Sequence, residues 1–372
     1  MAKDITDLKF AFSAAVCGAA GTIATTLSSK IDEIKHFDVR KALDEFGLIM
    51  GFNNLVKVND YNKHYEFGKK LGFDYISSGA GINKVFFGQG DDTSGFYINP
   101  LISANKQLVS CLKRNPGIVT MENCSAGGHN GPELSFSDTL ELLKETDIFS
   151  TDNNRVIFAG GIMTPEDGVR VLDTGKIDYL QLGSYFMTTN EMNISNYYKN
   201  LILNVKKGDV GPVPSPAGLP GMGFLNKGIM PDVLSGKSLP KRPCAEVPTA
   251  GCLNCSGIRY SAEAAGYNPD SVGDYCISDA LTNLHLEKDF DKKLYFVGQE
   301  IHRLKATKIE SVRKRIGDFM AGIYDEIQAG TGLSEHASFV KDRFNYYKNK
   351  GIEQLSAKIF VNQGLKLENF YK

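Results

Sequence analysis

A histidine that directly follows two glycines is the group in this sequence best suited to chemistry. The apolar segment 117–121 leads into Glu122 and then into Gly127, Gly128 and His129. Because glycine has no Cβ, paired glycines let the backbone approach a planar or phosphorylated ligand closely. An imidazole titrates near pH ~6.5 and can exchange protons at cellular pH. We predict a barrel strand that delivers an active-site base; the alternative is a glycine-rich turn with a solvated histidine.

Two further strand ends carry groups that could bind an anion. Gly160 and Gly161 lie between a predicted strand and the start of a helix, and Gly183 and Ser184 end the next strand. Backbone N–H groups at a helix N-terminus attract anions, and βα barrels usually bind phosphate at the loops after their last two strands. We predict a phosphate site there; tight βα turns could explain either pair alone.

Four cysteines form a second group of residues that could carry chemistry. They follow the pattern C-x7-C-x2-C-x20-C, at Cys244, Cys252, Cys255 and Cys276. Four thiolates suit a tetrahedral zinc ion or an iron–sulfur cluster, whereas the alternative is buried free thiols. The remaining cysteines have no such neighbours in sequence and are predicted to be core residues: Cys17, Cys111 and Cys124.

Strand and helix patterns alternate along the first half of the chain. Apolar, β-branched strand patterns lie at 22–27, 47–53, 73–79, 96–102, 117–121, 155–161 and 177–183. Helical patterns lie at 31–45, 60–71, 106–114, 137–145 and 165–174. This alternation predicts βα units around a parallel sheet, an α/β fold of the TIM (β/α)8-barrel type.

The pattern supplies seven strands, although a closed barrel of this type needs eight. The first strand is either absent or formed by residues 8–12. We favour absence, because apolar residues at 8, 11, 12, 15 and 16 have helical spacing.

The second half of the chain lacks this alternation. We predict a barrel at 1–205, a loop and cysteine-containing segment at 206–300, and a helical region at 301–372. The Gly- and Pro-rich residues 206–243 are predicted to cross the surface as an ordered loop. A short strand is expected at 293–298 and a helix at 308–327, and the amphipathic tail 334–372 is expected to pack on the barrel or on a second subunit of a homo-oligomer.

Composition narrows the class of function. The 372 residues contain 42 Lys and Arg against 43 Asp and Glu, so no net field recruits nucleic acid or an anionic membrane. No apolar run reaches the roughly 18 residues of a membrane helix, and the first residues lack the apolar core of a signal peptide. An odd total of seven cysteines also favours reduced thiols. We therefore expect a cytoplasmic protein that acts on a small molecule.

Three motifs together resemble one known family. Ala-Gly-Gly-His-Asn-Gly at 126–131, Ala-Gly-Gly-Ile at 159–162 and Gln-Leu-Gly-Ser-Tyr-Phe at 181–186 resemble the FMN-dependent nitronate monooxygenases, whose fold the flavin-dependent enoyl-ACP reductases share. The resemblance runs in order from about residue 14 to residue 191. It departs from the family at the missing opening strand, at Glu122, where many relatives carry Gln, and at Ser184 and Tyr185, where Thr and Arg are commoner.

The resemblance implies a bound FMN and a role for each matching residue. His129 matches the active-site histidine, taken to act as base or as substrate-orienting donor. The phosphate is implied to lie at Gly160, Gly161, Gly183 and Ser184. Further implied FMN contacts are Asn53, Glu122, Gly127, Gly128, Gln181 and Leu182.

Three functions follow as hypotheses. The first is oxidation of alkyl nitronates by FMN and oxygen, and the second is reduction of an enoyl thioester with NAD(P)H as electron donor. The third is a non-catalytic barrel subunit that binds a metal cluster. Because a nearby flavin would exchange electrons with the cysteine site, an iron–sulfur cluster is favoured over zinc there, and the cluster favours the reductase.

Overall fold

A parallel sheet of seven strands dominates the computed structural model, which describes residues 5–24, 39–46, 48–55, 61–79, 97–105, 118–129, 134–145, 155–241 and 257–329. Its strands are β1 (Ala20–Ala24), β2 (Ile49–Leu55), β3 (Tyr75–Gly79), β4 (Tyr97–Ser103), β5 (Ile118–Glu122), β7 (Arg155–Ala159) and β8 (Tyr179–Gln181). Each strand pairs in parallel with the next one named. The sheet curls into a half-barrel, which confirms the predicted α/β barrel type.

Helices cover the convex side of the sheet and fill the second half of the chain. The described ones are α1 (Leu8–Val16), α2 (Val39–Phe46), α3 (Tyr61–Leu71), α4 (Phe136–Glu145), α5 (Pro165–Leu172), α6 (Asn196–Leu203), α7 (Met230–Leu234), α8 (Ile258–Ala264), α9 (Ile277–Leu281) and α10 (Val312–Gln328). The predicted helix at 308–327 is confirmed as α10. The predicted helix at 106–114 and the tail 334–372 lie outside the described residues.

The start of the described chain is helical, as the sequence periodicity predicts. Asp7 accepts a hydrogen bond from the N–H of Phe10 (2.9 Å) and caps α1, so residues 8–12 are not a strand. Within the described ranges, no strand ladder joins β1 to β8. Helix α10 packs on α1, which leads into β1, and on α5, which leads into β8. It therefore bridges the two edges of the open sheet.

An aspartate aligns a strand with its neighbour in the same way at two places in the sheet. Asp74 and Asp178 each precede a strand, and each accepts a 2.8 Å hydrogen bond from the first part of the preceding strand, from the N–H of Met50 and of Val156 respectively. Each carboxylate also pairs with an arginine. These bonds fix where β3 and β8 begin relative to their neighbours, and therefore where their carboxyl ends lie.

The concave face of the sheet is polar below the strand ends. Asn99 is almost fully buried and donates to the hydroxyls of Ser77 (3.1 Å) and Thr120 (2.9 Å). Ser77 is in register with Asn53, so Asn53 lies on the same face. Hydrogen bonds among these buried groups offset the cost of removing them from water and hold the middle strands together.

A second sheet corrects the prediction of a surface loop at 206–243. Residues 128–129 form β6, which pairs antiparallel with β10 (Gly221–Phe224), and β10 pairs with β9 (Val210–Val213). Val213 and Phe224 are buried, so this segment belongs to the core. Proline misled the prediction, because Pro212 is compatible with β9 as an edge strand.

The rest of the second half packs on the barrel through one buried cluster. That cluster includes side chains from Ile5 to Ile327, across all three segments predicted from sequence. The expected strand at 293–298 is reduced to a single antiparallel bridge between Phe296 and Gly223. The boundaries at 205 and 300 stay a prediction.

Two glycines of α10 test the contact that bridges the sheet edges. A Cβ on Gly322 would lie 2.8 Å from Pro165 Cβ and nearer still to its Cγ, whereas a Cβ on Gly317 would meet nothing within 4 Å. We expect Gly322→Ala to lower the free energy of unfolding by about 1–3 kcal/mol through overpacking. Gly317→Ala should raise it by about 0.5–1 kcal/mol, because alanine favours the helix. Urea unfolding measures both, and equal effects would contradict the docking of α10 on α5.

Candidate active site

The carboxyl ends of β5, β7 and β8 bring the predicted residues to one edge of the sheet. Glu122 is in register with Ala159, and Ala159 is in register with Gln181. The glycine pair at 160–161 therefore follows next to Glu122, and Gly183 follows next to the pair. This is the end of a βα barrel at which active sites form.

The turn after β7 requires glycine for internal reasons. Gly160 and Gly161 have φ angles of +100° and +76°, which non-glycine residues rarely adopt. A Cβ on Gly160 would lie 2.6 Å from Asn123 Oδ1. Buried Asn123 donates to the Gly160 carbonyl (3.0 Å) and accepts from the Ser125 N–H (2.8 Å), so it ties this turn to the loop that carries His129. The sequence analysis missed Asn123.

The N-terminus of α5 is partly occupied by its own side chains. Asp167 accepts hydrogen bonds from the N–H groups of Met163 and Thr164, both at 3.1 Å, and Thr164 completes a capping box. The buried Asp167 carboxylate also pairs with Arg303 at 2.9 Å. These two N–H groups, which lie just before α5, are therefore not available to an anion, and the predicted anion site narrows to the glycine turns and Ser184.

Open space adjoins the loop after β8. Among the residues that the structure describes, none has an atom within 4 Å of a Cβ added to Gly183, and the same holds for Gly128. Ser184 begins a 3-10 helix (Ser184–Phe186), whose first N–H groups have no acceptor inside the helix. The Ser184 hydroxyl accepts a 2.8 Å hydrogen bond from the N–H of Gly298, so its proton remains for another acceptor.

His129 is held in the second sheet and beside an aromatic ring. The residue pairs in register with Gly221 of β10, and its ring meets the Phe296 ring edge-on at 5.0 Å. Its Nε2 lies 2.6 Å from the hydroxyl oxygen of fully buried Ser215. Burial lowers the pKa of His129 to about 4, so the imidazole is neutral at cellular pH.

Glu122 is the carboxyl group of the site. Its side chain is half-buried at the end of β5, and desolvation raises the pKa of Glu122 to about 7. The carboxyl group is therefore a mixture of neutral and charged forms near neutral pH. A neutral carboxyl group can donate a hydrogen bond through its O–H, as the amide group of glutamine, which has a similar shape, does through its N–H.

The other predicted contacts differ in what they can offer. Asn53 lies on β2, which β3 and β4 separate from β5, and Gln181 ends β8 partly exposed. Leu182 packs its side chain against the main core, so its backbone is what could face a ligand. The backbone of Gly127 packs on Gly298, since a Cβ there would lie 2.8 Å from the Gly298 nitrogen.

The cysteine site falls mostly outside the described residues. Cys244, Cys252 and Cys255 lie in the undescribed range 242–256, and Cys276 is half-buried at the N-cap position of α9, where its side chain makes no capping hydrogen bond. No cluster of three potential metal ligands occurs within the described ranges. The prediction that Cys17 is a core residue is confirmed: it is buried, and burial raises its pKa to about 12. Cys124 is half-buried, and Cys111 lies outside the described residues.

Besides Asn123, two residues of the site were not predicted from the sequence, Ser215 and Phe296. Ser215 lies between two prolines in the segment predicted as a loop, and Phe296 lies in the short strand predicted at 293–298, which carried no sign of a role at the site. Their position beside His129 depends on the pairing of β6 with β10. No local signal in the sequence indicates that pairing.

Fold and site together are those of a βα-barrel enzyme with its site at the carboxyl ends of the strands. The family model described as nitronate monooxygenase matches residues 21–321, so the chain belongs to the nitronate monooxygenase family. It is an FMN-dependent oxidoreductase of that family, as the three sequence motifs predict.

Solved structures show the same fold at low sequence identity. A variant of FabK from Thermotoga maritima is 17% identical with a TM-score of 0.62, over 87% of this chain and 90% of that one. The enoyl reductase domain of MlnA from Bacillus amyloliquefaciens is 12% identical with a TM-score of 0.60, over 88% and 93%. Nitroalkane oxidase from Streptomyces ansochromogenes is 14% identical with a TM-score of 0.57, over 88% and 95%.

Two comparisons are negative. A search of curated proteins gives no match. Among the helices that the structure describes, none combines the length and the apolar composition needed to cross a membrane.

The raised pKa of Glu122 predicts a pH-dependent stability. Between its ordinary value of 4.5 and about 7, the folded protein binds more protons than the unfolded chain, so the free energy of unfolding falls as pH rises through that window. Glu122→Gln removes this decline and should be more stable than the parent at pH ~8, on the order of 2 kcal/mol. His129 has the opposite slope, but it is present in both proteins and cancels in the comparison.

Urea unfolding at several pH values measures this difference. Glu141→Gln is the control, because Glu141 is exposed on α4 and should change stability little at any pH. Parallel pH profiles for the parent and Glu122→Gln would contradict the burial of the Glu122 carboxyl group.

Proposed function

We propose that FMN lies across the ends of β5, β7 and β8. Its phosphate end is assigned to Gly160, Gly161, Gly183 and Ser184, and its ring end to His129 and Glu122. The observation that carries this proposal is the register that aligns Glu122, Ala159 and Gln181 at one edge. Asn53, Gly127, Gly128, Gln181 and Leu182 complete the proposed set of contacts.

The residues present fit a phosphorylated, planar group. An added Cβ at Gly183 or Gly128 would touch no atom of the described part of the chain, so these residues leave room beside them there. The N–H groups that begin the 3-10 helix and the Ser184 hydroxyl can donate to phosphate oxygens. At the ring end, burial favours the neutral forms of both Glu122 and His129. Both side chains can then bind a ligand through hydrogen bonds without carrying a charge.

The proposed reaction is oxidation of an alkyl nitronate with oxygen. FMN, when bound, supplies the exchange of electrons. The chain contributes binding and orientation: the neutral His129 ring offers a hydrogen bond to a substrate oxygen, and Glu122 lies beside it. An anionic nitronate suits this site, because its carbon has already lost the proton that a base would have to remove.

A charge placed at Gly183 tests the phosphate position. Gly183 has φ −104° and open space at its Cβ, so alanine and aspartate should both fold. Gly183→Asp should weaken FMN binding by about 10- to 100-fold relative to Gly183→Ala, through repulsion between carboxylate and phosphate. Riboflavin, which lacks the phosphate, should bind both variants alike. Equal FMN affinities, measured by flavin fluorescence quenching, would contradict the assignment.

The alternative function is NAD(P)H-dependent reduction of an enoyl thioester. The likeness in fold to FabK and to the enoyl reductase domain of MlnA favours testing it. FMN-loaded protein is mixed without oxygen with an alkyl nitronate or with NADH, and the flavin absorbance is followed. We expect the nitronate to bleach the flavin, and His129→Ala to slow bleaching by at least about 10²-fold with FMN retained. Rapid bleaching by NADH alone would favour the reductase, and a chain that binds no FMN would favour the non-catalytic hypothesis.

A metal at the cysteines is a separate part of the proposal. Its support is the spacing of Cys244, Cys252, Cys255 and Cys276, and an iron–sulfur cluster is proposed ahead of zinc. Cys252→Ala should release iron or zinc from anaerobically purified protein, measured by metal analysis, whereas Cys17→Ala should not. Full metal retention by Cys252→Ala would exclude the ligand assignment. A cytoplasmic location and a homo-oligomeric state stay predictions.

A further inference from the structure

The hydroxyl of Ser215 is bonded to His129 at a nitrogen that decides what the imidazole can do. We infer that Ser215 is a positioning residue that holds His129 in the tautomer protonated at Nδ1, so that the ring serves the site as an N–H donor and not as a base. The inference rests on the proposed function for its consequence in turnover. Its structural content is independent of any ligand.

Ser215 is placed rigidly beside the histidine. It is fully buried just after β9, and its own N–H donates to the Ser261 hydroxyl at 2.7 Å. The preceding carbonyl, that of Pro214, accepts a 2.8 Å hydrogen bond from the Tyr275 hydroxyl. These bonds tie the serine to α8 and to the start of α9, so the hydroxyl oxygen has a fixed position 2.6 Å from His129 Nε2.

The proton of the Ser215 hydroxyl has a defined destination. The N–H of Ala217 points to Ser215 Oγ at 3.3 Å, and a backbone N–H can only donate. This contact uses a lone pair of the oxygen and leaves the hydroxyl proton to be donated. The acceptor within reach, in the part of the chain that the structure describes, is His129 Nε2. A neutral imidazole that accepts at Nε2 carries its proton on Nδ1.

The ring is held so that this tautomer is presented in one orientation. Pairing of β6 with β10 fixes the backbone of His129, and the Phe296 ring packs against the imidazole. Phe296 is itself held, because its carbonyl accepts a hydrogen bond from the Tyr198 hydroxyl. Across the described ranges, no protein group bonds to Nδ1, so its N–H remains for a ligand oxygen.

The tautomer determines which form of the substrate His129 can assist. Burial opposes formation of an imidazolium, so the ring is a poor proton acceptor and a good neutral donor. A nitronate needs a donor that binds its oxygens and needs no base at carbon. By holding His129 as a donor, Ser215 therefore favours a substrate that is already deprotonated when it binds.

Nitrogen NMR of the full-length protein labelled with ¹⁵N-histidine tests the tautomer directly. His129→Gln identifies the His129 signals. We expect Nδ1 to show the shift of a protonated nitrogen and Nε2 that of an unprotonated one. Ser215→Ala should shift His129 towards a tautomer mixture, and Ser215→Thr, which keeps the hydroxyl, should restore the parent spectrum. Ser278→Ala is the matched control, since it removes a buried serine hydroxyl of α9 that takes no part in holding Ser215 or His129.

Turnover of the FMN-loaded protein gives the second readout. Ser215→Ala should lower kcat for a nitronate by about three- to tenfold with KM and the flavin spectrum unchanged, the loss expected for one hydrogen bond. Ser215→Thr should recover it. Protonation at Nε2 in the parent protein, or an unchanged tautomer or kcat in Ser215→Ala, would overturn the inference. Failure of FMN to bind would refute the proposed function and leave the tautomer result standing.

Discussion

The register of three parallel strands is the constraint on which the site depends. Glu122, Ala159 and Gln181 lie opposite one another, and a shift of one residue in any strand would turn its end residue to the other face of the sheet. Asp178, bonded to the N–H of Val156, fixes the start of β8 relative to β7. The glycine turns, Ser184 and the loop to His129 all continue from these three ends, so their common location follows from the register.

Burial shapes the electrostatics of the site in a consistent direction. The pKa of Glu122 is raised and that of His129 is lowered, and desolvation is the main cause of both shifts. Each shift favours an uncharged group, so at the proposed ring end a ligand would meet hydrogen-bonding groups that carry little net charge. At the proposed phosphate end, Asp167 accepts hydrogen bonds from the N–H groups of Met163 and Thr164, just before α5, and pairs with Arg303, which leaves the turns after β7 and β8 for the proposed phosphate.

Local patterns predicted the barrel half of the molecule well. The β-branched strands alternate with helices, and the spacing of Leu8, Ala11 and Ala15 correctly indicated a helix where a complete barrel would need a strand. The glycine pair at 160–161 and the residues around Gly183 were recognisable because their chemistry is local. In each case the signal lies within a few residues of the feature that it predicts.

The second sheet could not be predicted in this way. Its strands β6, β9 and β10 are short and rich in glycine and proline, and β6 pairs with β10 across about 90 residues of sequence, as Gly221 with His129 shows. Glycine is needed at 223 in β10, because a Cβ there would lie 2.7 Å from the Tyr295 carbonyl oxygen. This is a tertiary contact that has no local signal in the sequence. Ser215 and Phe296 reach His129 through this pairing, so the histidine was predictable but its partners were not.

A crystal structure of the protein soaked with FMN tests the central claim most directly. The account predicts the phosphate within hydrogen-bond distance of the N–H groups of Gly183 and Ser184, with the isoalloxazine ring beside His129 and Glu122. A phosphate bound elsewhere, or strand ends filled by the chain's own side chains so that no ring can enter, would contradict it.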